Sequence, residues 1–504
     1  MKRYAIILSL LPLLVSGCNS FLDQVPDDRS KLSDVESVKA LLVSAYPDGH
    51  YMMGAELMSD NSDDKGSWLL SLYPEMQEEA YRWEVSTQNV QDAPYHYWNR
   101  LYKAISAANH AIEAIEANGG GEEYDPYLGE AKMARAFSHF LLVNLWGKHY
   151  DPATAATDLG VPYVTIPEKE ALVDYSRNTV KEVYELIEKD ITEGFPLLAD
   201  DAYDVPKYHF NIAAANVFLS RFYLYRGESG DWDKVIQHTT AVLGEGTNFK
   251  GQLRDYAGKY SAVTSNWEDY ARLYTNYGEA AILLLTNAPS LWYYTSRGGR
   301  YGMSETKMNE ILYSTTVKDN KWNGGAYGSW PHYTLNKFYP YLKVAYPGAA
   351  SGLPYSLCPV ITMEEAVFNR AEAYVMQKRY AEAVADLNVY LSMRTKNYIP
   401  EVHTITPEDV IEFYTARQGI ELNPWYRDQM DGDQMYMLQY ITDLRRREYL
   451  QEGMRWFDVK RFHIEVTHGV FESKQKDVLT PDDPRRVWQI PSMALDYGLE
   501  PNPR

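Results

Sequence analysis

Apolar residues recur at intervals of three and four along much of this chain, and this spacing restricts it to a mostly α-helical fold. One series runs from Leu101 to Ile115, and a second runs from Met133 to Asn144 after a turn that begins at Gly119. Because an α-helix has 3.6 residues per turn, such spacing gathers the apolar side chains on one face. The two series therefore predict a pair of antiparallel helices.

Two further helix pairs follow and resemble each other in sequence. They are predicted at 212–226 with 231–243, and at 363–377 with 380–393. An aromatic residue, Trp232 or Tyr380, opens the second helix of each pair. This is typical of tetratricopeptide repeats, whose paired helices stack and share a core. We therefore predict a tetratricopeptide-like helical repeat scaffold over about 97–245 and 360–465, with long irregular insertions.

The stretch 246–359 differs in kind from the helical repeats. It is rich in Tyr, Trp, Gly, Ser and Asn, its helical periodicity is weak, and only 280–286 has the pattern of a strand or buried segment. Irregular segments on a rigid scaffold are where binding residues concentrate. We therefore predict that 246–359 is an irregular ligand-binding insertion within a single body formed by 18–504.

The first residues have the pattern of a bacterial lipoprotein signal peptide, predicted at 1–17. Lys2 and Arg3 precede a short apolar run, and Gly17 precedes Cys18. The run is shorter than the about 20 apolar residues that a transmembrane helix needs. We therefore expect cleavage before Cys18 and attachment of a lipid to that cysteine, which would hold the chain to a membrane. An ordinary signal peptide with a chance cysteine is the alternative.

The charge balance narrows the possible partners. The chain has 49 basic and 69 acidic residues, a formal net charge of −20. A nucleic acid or an anionic membrane surface calls for a basic face, so neither is an expected partner. Cys358 is the second of two cysteines, and we interpret it as a small buried apolar residue rather than a nucleophile, because no base is identifiable beside it.

Several short motifs, in order along the chain, resemble one family. They are Cys18-Asn19-Ser20-Phe21-Leu22-Asp23, Tyr97-Trp98-Asn99, Arg135-Ala136-Phe137, Glu448-Tyr449-Leu450-Gln451-Glu452-Gly453 and Trp488-Gln489-Ile490-Pro491. Together they look like the SusD/RagB family of outer-membrane nutrient-binding lipoproteins. The resemblance covers essentially the whole chain and implies a SusD-like fold.

The resemblance also implies a function. Members of this family act as lids on TonB-dependent (SusC-like) transporters that import glycans or, less often, other nutrients. We therefore expect a lipid-anchored protein of the outer membrane that faces the cell exterior and binds an oligosaccharide. Capture of a peptide or another non-glycan nutrient, a lipid-anchored enzyme, and a purely structural scaffold remain as alternatives.

Candidate catalytic groups have a structural interpretation. The spacing of Glu448, Glu452 and Arg455 places them on one helical face, where we expect them to form ion pairs with one another. Glu364 and Glu365 are adjacent and point apart, whereas glycoside hydrolysis needs two carboxyl groups facing each other across about 5 to 10 Å. No zinc spacing, phosphate loop or Gly-x-Ser-x-Gly motif is present. We therefore do not expect an enzyme.

One acidic cluster is a weak candidate for a metal site. Asp60, Asp63 and Asp64 supply the hard oxygen ligands that calcium prefers. The cluster lacks the spacing and the turn glycine of an EF-hand, so a solvated or capping loop is the alternative. Apart from a possible structural calcium, no cofactor is expected.

Aromatic residues in the insertions are the stronger candidates for ligand contacts. A sugar presents an apolar face that suits an indole or phenol ring, and its hydroxyl groups need polar partners nearby. Arg297 could also bind an acidic sugar through a bidentate contact. The predicted ligand-binding residues are Trp68, Trp292, Tyr293, Tyr294, Arg297, Trp322, Asn323 and Trp330. Trp98, by contrast, is assigned to the core.

Overall fold

The fold is mostly α-helical, as the spacing of apolar residues predicts. The computed structural model describes residues 32–66, 72–168, 174–344, 346, 351–417 and 419–504. Cys18 and the predicted signal peptide lie outside these ranges. Of the helices that the structure describes, none has both the length and the apolar character that crossing a bilayer requires.

The helices have the following bounds. In chain order they are α1 (Val35–Leu42), α2 (Met52–Met58), α3 (Pro74–Tyr81), α4 (Pro94–Ala117), α5 (Asp125–Trp146), α6 (Val180–Gly194), α7 (Ile212–Arg226), α8 (Asp231–Leu243), α9 (Ser261–Val263), α10 (Trp267–Tyr274), α11 (Trp292–Gly298), α12 (Glu305–Leu312), α13 (Met363–Met376), α14 (Tyr380–Arg394), α15 (Pro400–His403), α16 (Pro407–Thr415), α17 (Gly432–Glu448), α18 (Met454–Arg461) and α19 (Ser492–Asp496).

The strands are short and form small antiparallel sheets. They are β1 (Asp63–Asp64), β2 (Ile282–Pro289), β3 (Tyr301–Gly302), β4 (Tyr327–Ser329), β5 (His332–Thr334), β6 (Tyr341–Val344), β7 (Gly352–Thr362), β8 (Val466–Gly469) and β9 (Lys476–Leu479). β1 pairs with β3, β4 with β5, and β8 with β9, while β2, β7 and β6 form a three-stranded sheet in that order.

The two similar helix pairs pack side by side. α7 packs on α8, α13 packs on α14, and α13 also contacts α8, so the pairs share one core. The bounds of α7 and α8 are those that the sequence predicts. Asn211 caps the start of α7 through its side chain, and Gly227, with a φ of 66°, ends it in the left-handed conformation that glycine accepts without strain.

The stretch 246–359 contains more regular structure than its composition suggests. Residues 282–286 of the predicted strand-like segment 280–286 lie in β2, which pairs along β7. The sequence does not predict β7, which carries Pro354 and Pro359, because proline within a run argues against a sheet strand. The short helices α10 and α12 are not predicted either, because they span too few turns for a clear periodicity.

The two residues assigned to the interior are buried. Trp98 lies between the rings of Tyr102 and Trp146, at centroid distances of 4.9 and 5.1 Å. Cys358 lies inside β7, and burial raises the pKa of its thiol well above the ordinary value. The thiol is therefore held in its protonated form, which is not nucleophilic.

Candidate ligand-binding cleft

A cleft of about 300 Å³ lies where five separate parts of the chain meet. β1, the end of α3, the start of α12, the turn between β4 and β5, and the loop after β8 all contribute to it. Its lining includes Asp63, Lys65, Ser304, Trp330 and Phe471. Because β1 pairs with β3, the acidic segment at 63–64 is held in register with a segment more than 200 residues away.

Trp330 is the exposed aromatic residue of this cleft. It lies in the turn of the β4–β5 hairpin, before a cis peptide bond to Pro331, and 60% of its surface is exposed. Gly328 gives this hairpin its shape: its φ is 104°, and an added Cβ would collide with the carbonyl oxygen of His332. The turn therefore presents an indole ring to solvent at the edge of the cleft.

Lys65 is the main cationic group of the cleft. Its backbone N–H donates to the carbonyl oxygen of Arg300 at 2.8 Å, and its side chain is only 4% exposed. Its ammonium group has no hydrogen-bond partner or ion pair among the described residues. Burial lowers the pKa of Lys65 to about 8. The ammonium nitrogen exposes almost no surface, so it donates to a molecule in the cleft only where the groups that cover it move aside.

The carboxylates beside Lys65 have other partners. Asp64 accepts two hydrogen bonds from the guanidinium of Arg300, at 2.7 and 2.8 Å, and one from the backbone N–H of Gly66 at 3.0 Å. Asp63 accepts from the hydroxyl of Ser304. These bonds fix the acidic segment.

Asp60, the third member of the predicted calcium cluster, is bound by arginines. Arg455 donates to it at 2.8 and 2.9 Å, and Arg446 lies 3.2 Å away. Although burial opposes its charge, these two arginines hold the pKa of Asp60 well below the usual range. The three aspartates therefore do not converge. In the described part of the chain, no group of three or more His, Cys, Asp or Glu side chains could hold a metal ion.

A column of aromatic rings lies beside the cleft. Tyr81, which lines it, stacks on Tyr301 at 4.5 Å and on His468 at 4.1 Å, and His468 stacks on Trp83 at 4.3 Å. The hydroxyl of Tyr81 also accepts from the backbone N–H of Asp64 at 3.0 Å. The column therefore supports β1. The sequence does not predict this column, because no local pattern connects position 81 with position 468.

Two of the predicted ligand-binding tryptophans are core residues, and those predictions are wrong. Trp292 is 2% exposed and its indole N–H donates to the backbone oxygen of Gln451 at 2.8 Å. Trp322 is buried against the ring of Tyr256 at 5.4 Å. Asn323 follows it, with its backbone N–H donating to Arg394. A sugar cannot stack on a ring that the protein already covers.

The remaining predicted residues lie on or near α11. Tyr294 is 43% exposed, whereas Tyr293 is mostly buried and stacks on Trp267 at 5.2 Å. Arg297 lies over the same Trp267 ring and donates to the hydroxyl of Tyr293, and its backbone oxygen contacts a ring nitrogen of His332 at 3.1 Å. α11 is thus joined to the hairpin that carries the exposed tryptophan. Trp68 lies outside the described residues.

The ion pairs predicted among Glu448, Glu452 and Arg455 do not form. Each of these side chains is buried and pairs with a distant residue instead: Glu448 with Arg394 at 2.7 Å, Glu452 with Lys337 at 2.6 Å, and Arg455 with Asp60. The helical spacing was a poor guide here because the chain turns between α17 and α18, so the three residues do not share one helix.

The adjacent carboxylates at 364–365 point apart, as expected. Glu364 pairs with Arg254 at 3.0 Å and with Arg394, while Glu365 pairs with Arg221 at 2.5 Å. All are buried, so their role is structural.

Family comparisons agree with the fold. The SusD family profile matches residues 238–500, and a profile described as starch-binding associating with outer membrane matches residues 20–224. No relative among curated proteins matches the chain.

Solved structures of low sequence identity share the fold. A SusD superfamily protein from Bacteroides fragilis is 18% identical, with a TM-score of 0.65 over 94% of this chain and 99% of its own. A SusD-like carbohydrate binding protein from Bacteroides vulgatus ATCC 8482 is 14% identical, with a TM-score of 0.65 over 92% and 96%. A laminarin binding SusD-like protein is 16% identical, with a TM-score of 0.60 over 94% and 99%. Since the SusD profile alone matches more than half of the chain, the protein belongs to the SusD/RagB family.

Proposed function

We propose that this protein binds an oligosaccharide in the cleft beside Trp330, without turnover, and delivers it to a TonB-dependent transporter of the outer membrane. In this proposal a lipid on Cys18 anchors the protein and the cleft faces the cell exterior. The observation that carries the proposal is the pairing, in one cleft, of an exposed indole ring with the unpartnered ammonium group of Lys65.

This pairing suits the two sides of a sugar. The apolar face of a pyranose ring stacks on an indole and leaves its hydroxyl groups at the ring edge, where they need polar partners. Lys65 supplies donors, Ser304 and Thr306 supply hydroxyl groups, and Glu305 supplies an acceptor at the rim. Tyr294, exposed on the neighbouring α11, is a candidate for contacting a longer ligand.

Neutral glucans are the first ligands to test. One matching profile is described as starch-binding, and one structural neighbour as laminarin binding. Binding without turnover is supported by the partners of the nearby carboxylates, since Asp64 is paired with the guanidinium of Arg300 and Asp63 accepts a hydrogen bond from the hydroxyl of Ser304.

The test is affinity gel electrophoresis of the soluble form that begins after Cys18, with starch, laminarin, neutral and acidic plant polysaccharides and host glycans. We expect one class to retard the protein. Trp330→Ala should weaken that binding about tenfold, equivalent to ~1.4 kcal/mol, because the stacking surface is lost. Isothermal titration with the corresponding oligosaccharide then gives the dissociation constant.

Tyr497→Ala is the matched control, because Tyr497 is an exposed aromatic residue that does not line the cleft. It should bind like the unchanged protein, and circular dichroism should show that both variants are folded. Equal binding by Trp330→Ala and the control would refute the assignment of the cleft. Retardation by no glycan would refute glycan capture and favour the alternative of a peptide or another non-glycan nutrient.

A further inference from the structure

A second cavity, of about 220 Å³, lies between the end of α12, α16 and the end of α17. Three arginines line it: Arg417, Arg446 and Arg447. α12 also reaches the ligand-binding cleft with its first residue, Glu305, and lines this second cavity near its last, Ile311. At 1.5 Å per residue, the helix rises roughly 9 Å between these two residues.

Buried arginines elsewhere in this molecule have carboxylate partners or a full set of carbonyl acceptors. Those within 4 Å of a carboxylate are Arg135, Arg221, Arg254, Arg370, Arg394, Arg445, Arg446, Arg455 and Arg461. Arg486 lacks a carboxylate but donates to four backbone oxygens. Each of these arginines in the described part of the chain thus has a carboxylate or several carbonyl oxygens beside its charge, although two nitrogens of Arg254 and one each of Arg455 and Arg461 lack acceptors.

Arg447 is the exception among the described residues. It is 8% exposed, its Nε donates to the backbone oxygen of Ile311 at 2.8 Å, and one Nη donates to the hydroxyl of Ser314 at 3.3 Å. Its other Nη has no acceptor in the described part of the chain, and no carboxylate there lies within ion-pair distance. A planar guanidinium with free N–H groups facing a cavity binds oxyanions well.

Two buried hydroxyl groups of the same cavity are also without hydrogen-bond partners among the described residues. They belong to Tyr440, which is 1% exposed, and to Thr316. Each can donate one hydrogen bond to an acceptor in the cavity. Arg417, at the exposed rim, lies over the ring of Phe413 at 4.2 Å and has no carboxylate partner in the described residues.

The two acidic residues that line the cavity already have hydrogen-bond or ion-pair partners within the protein. Asp443 accepts from the hydroxyl of Tyr414. Glu310 pairs with Arg446 at 2.8 Å and lies near Lys307 at 3.5 Å. Neither carboxylate lies within ion-pair distance of Arg447, so its guanidinium keeps free N–H donors, and the three arginines that line the cavity outnumber its two carboxylates.

We propose that this cavity is a binding site for a small oxyanion, held by Arg447 and Arg417 with the hydroxyl groups of Tyr440 and Thr316. The group that binds is a carboxylate, phosphate or sulfate, either as a free ion or carried on a sugar. The site is separate from the cleft beside Trp330, and it does not depend on the proposed glycan ligand.

The test uses the soluble protein that begins after Cys18 and follows its unfolding temperature during titration with sodium phosphate, sodium sulfate or sodium glucuronate. Sodium chloride keeps the ionic strength constant. A ligand that binds only the folded state raises the unfolding temperature in a saturable way, which yields an apparent dissociation constant. We expect saturation with at least one anion, and an apparent dissociation constant at least tenfold higher in Arg417→Ala and in Arg447→Gln.

Arg379→Ala is the matched control, because Arg379 is also an exposed arginine lying over an aromatic ring, that of Tyr374 at 4.4 Å. General stabilisation by excluded anions would act equally on all variants. Arg417 is exposed, so its variant keeps the fold even if Arg447→Gln does not. No saturable rise with any of the three anions, or equal constants in Arg417→Ala and the control, would overturn the proposal. A saturable rise with glucuronate alone assigns the site to a carboxylate, and one with phosphate or sulfate assigns it to that oxyanion. Titration with the corresponding sugar phosphate or sugar sulfate then shows whether the group binds as a free ion or on a sugar.

Discussion

Charged side chains in the interior of this protein are arranged as a network. Arg394 donates to Glu448 at 2.7 Å and to Glu364 at 2.7 Å, and its remaining nitrogen donates to the backbone oxygen of Arg254. Arg254 in turn pairs with Glu364. These groups come from four separate parts of the chain, so the network ties α13, α14 and α17 to the segment that carries Arg254.

Arg394→Met should destabilise the protein by about 3–5 kcal/mol, because it leaves the buried carboxylate of Glu448 without its charge partner. Chemical denaturation followed by circular dichroism measures this change.

The control for this substitution is Lys103→Met. Lys103 pairs with Asp48 at 3.1 Å, but both side chains are largely exposed. Lys103→Met should therefore lower the free energy of unfolding by less than about 1 kcal/mol. If the two variants lose the same stability, the buried network does not contribute as described.

At the scale of elements, the turn between α17 and α18 packs closely on α2. Gly453 begins α18 with a φ of 73°, and its N–H donates to the buried carboxylate of Glu56 at 3.0 Å. An added Cβ would lie 2.9 Å from the Cα of Met52, which belongs to α2. The close approach of this turn to α2 therefore requires glycine.

Gly453→Ala should destabilise the protein by at least about 2 kcal/mol, the sum of a left-handed backbone and an overpacked contact. Thermal and chemical unfolding both report this loss.

Gly120→Ala separates the two contributions. Gly120 also has a positive φ, of 61°, but nothing lies within 4 Å of an added Cβ. The Gly120→Ala variant should lose only about 1 kcal/mol of stability, the contribution of the left-handed backbone alone. An equal loss in both variants would mean that the contact with Met52 relaxes without cost.

At the scale of the whole molecule, the end of the chain closes onto a helix from its first third. The side chain of Asn502 donates to the backbone oxygens of Trp146 and Trp488, both at 2.8 Å, and accepts from Arg177 at 2.8 Å. Trp488 itself donates from its backbone to Leu145. These bonds satisfy the carbonyl groups at the end of α5.

Asn502→Ala should destabilise the protein by about 1–3 kcal/mol, because the carbonyl oxygen of Trp488 loses its side-chain donor and that of Trp146 keeps only a 3.4 Å bond from Arg177. The midpoint of thermal unfolding measures the effect.

Glu500→Ala serves as the control in the same tail. Glu500 is exposed, so this substitution should change stability by less than about 0.5 kcal/mol. An unchanged midpoint for Asn502→Ala would show that the tail does not hold the end of α5.

The sequence by itself determined the helical scaffold. The bounds of α7, α8 and the start of α13 could be predicted because helical periodicity, capping residues and glycine stops are local properties. The family could be identified for a related reason, since its motifs are short and keep their order.

Only the tertiary structure decided which aromatic residues are available to a ligand. Trp292 and Trp330 are alike in sequence context, yet the first is covered by a contact with Gln451, 159 residues away, and the second is exposed on a hairpin turn. Lys65 and Arg447 gave no local signal either. Whether a buried cation has a partner depends on what the rest of the chain places beside it, and no pattern within a helix or strand carries that information.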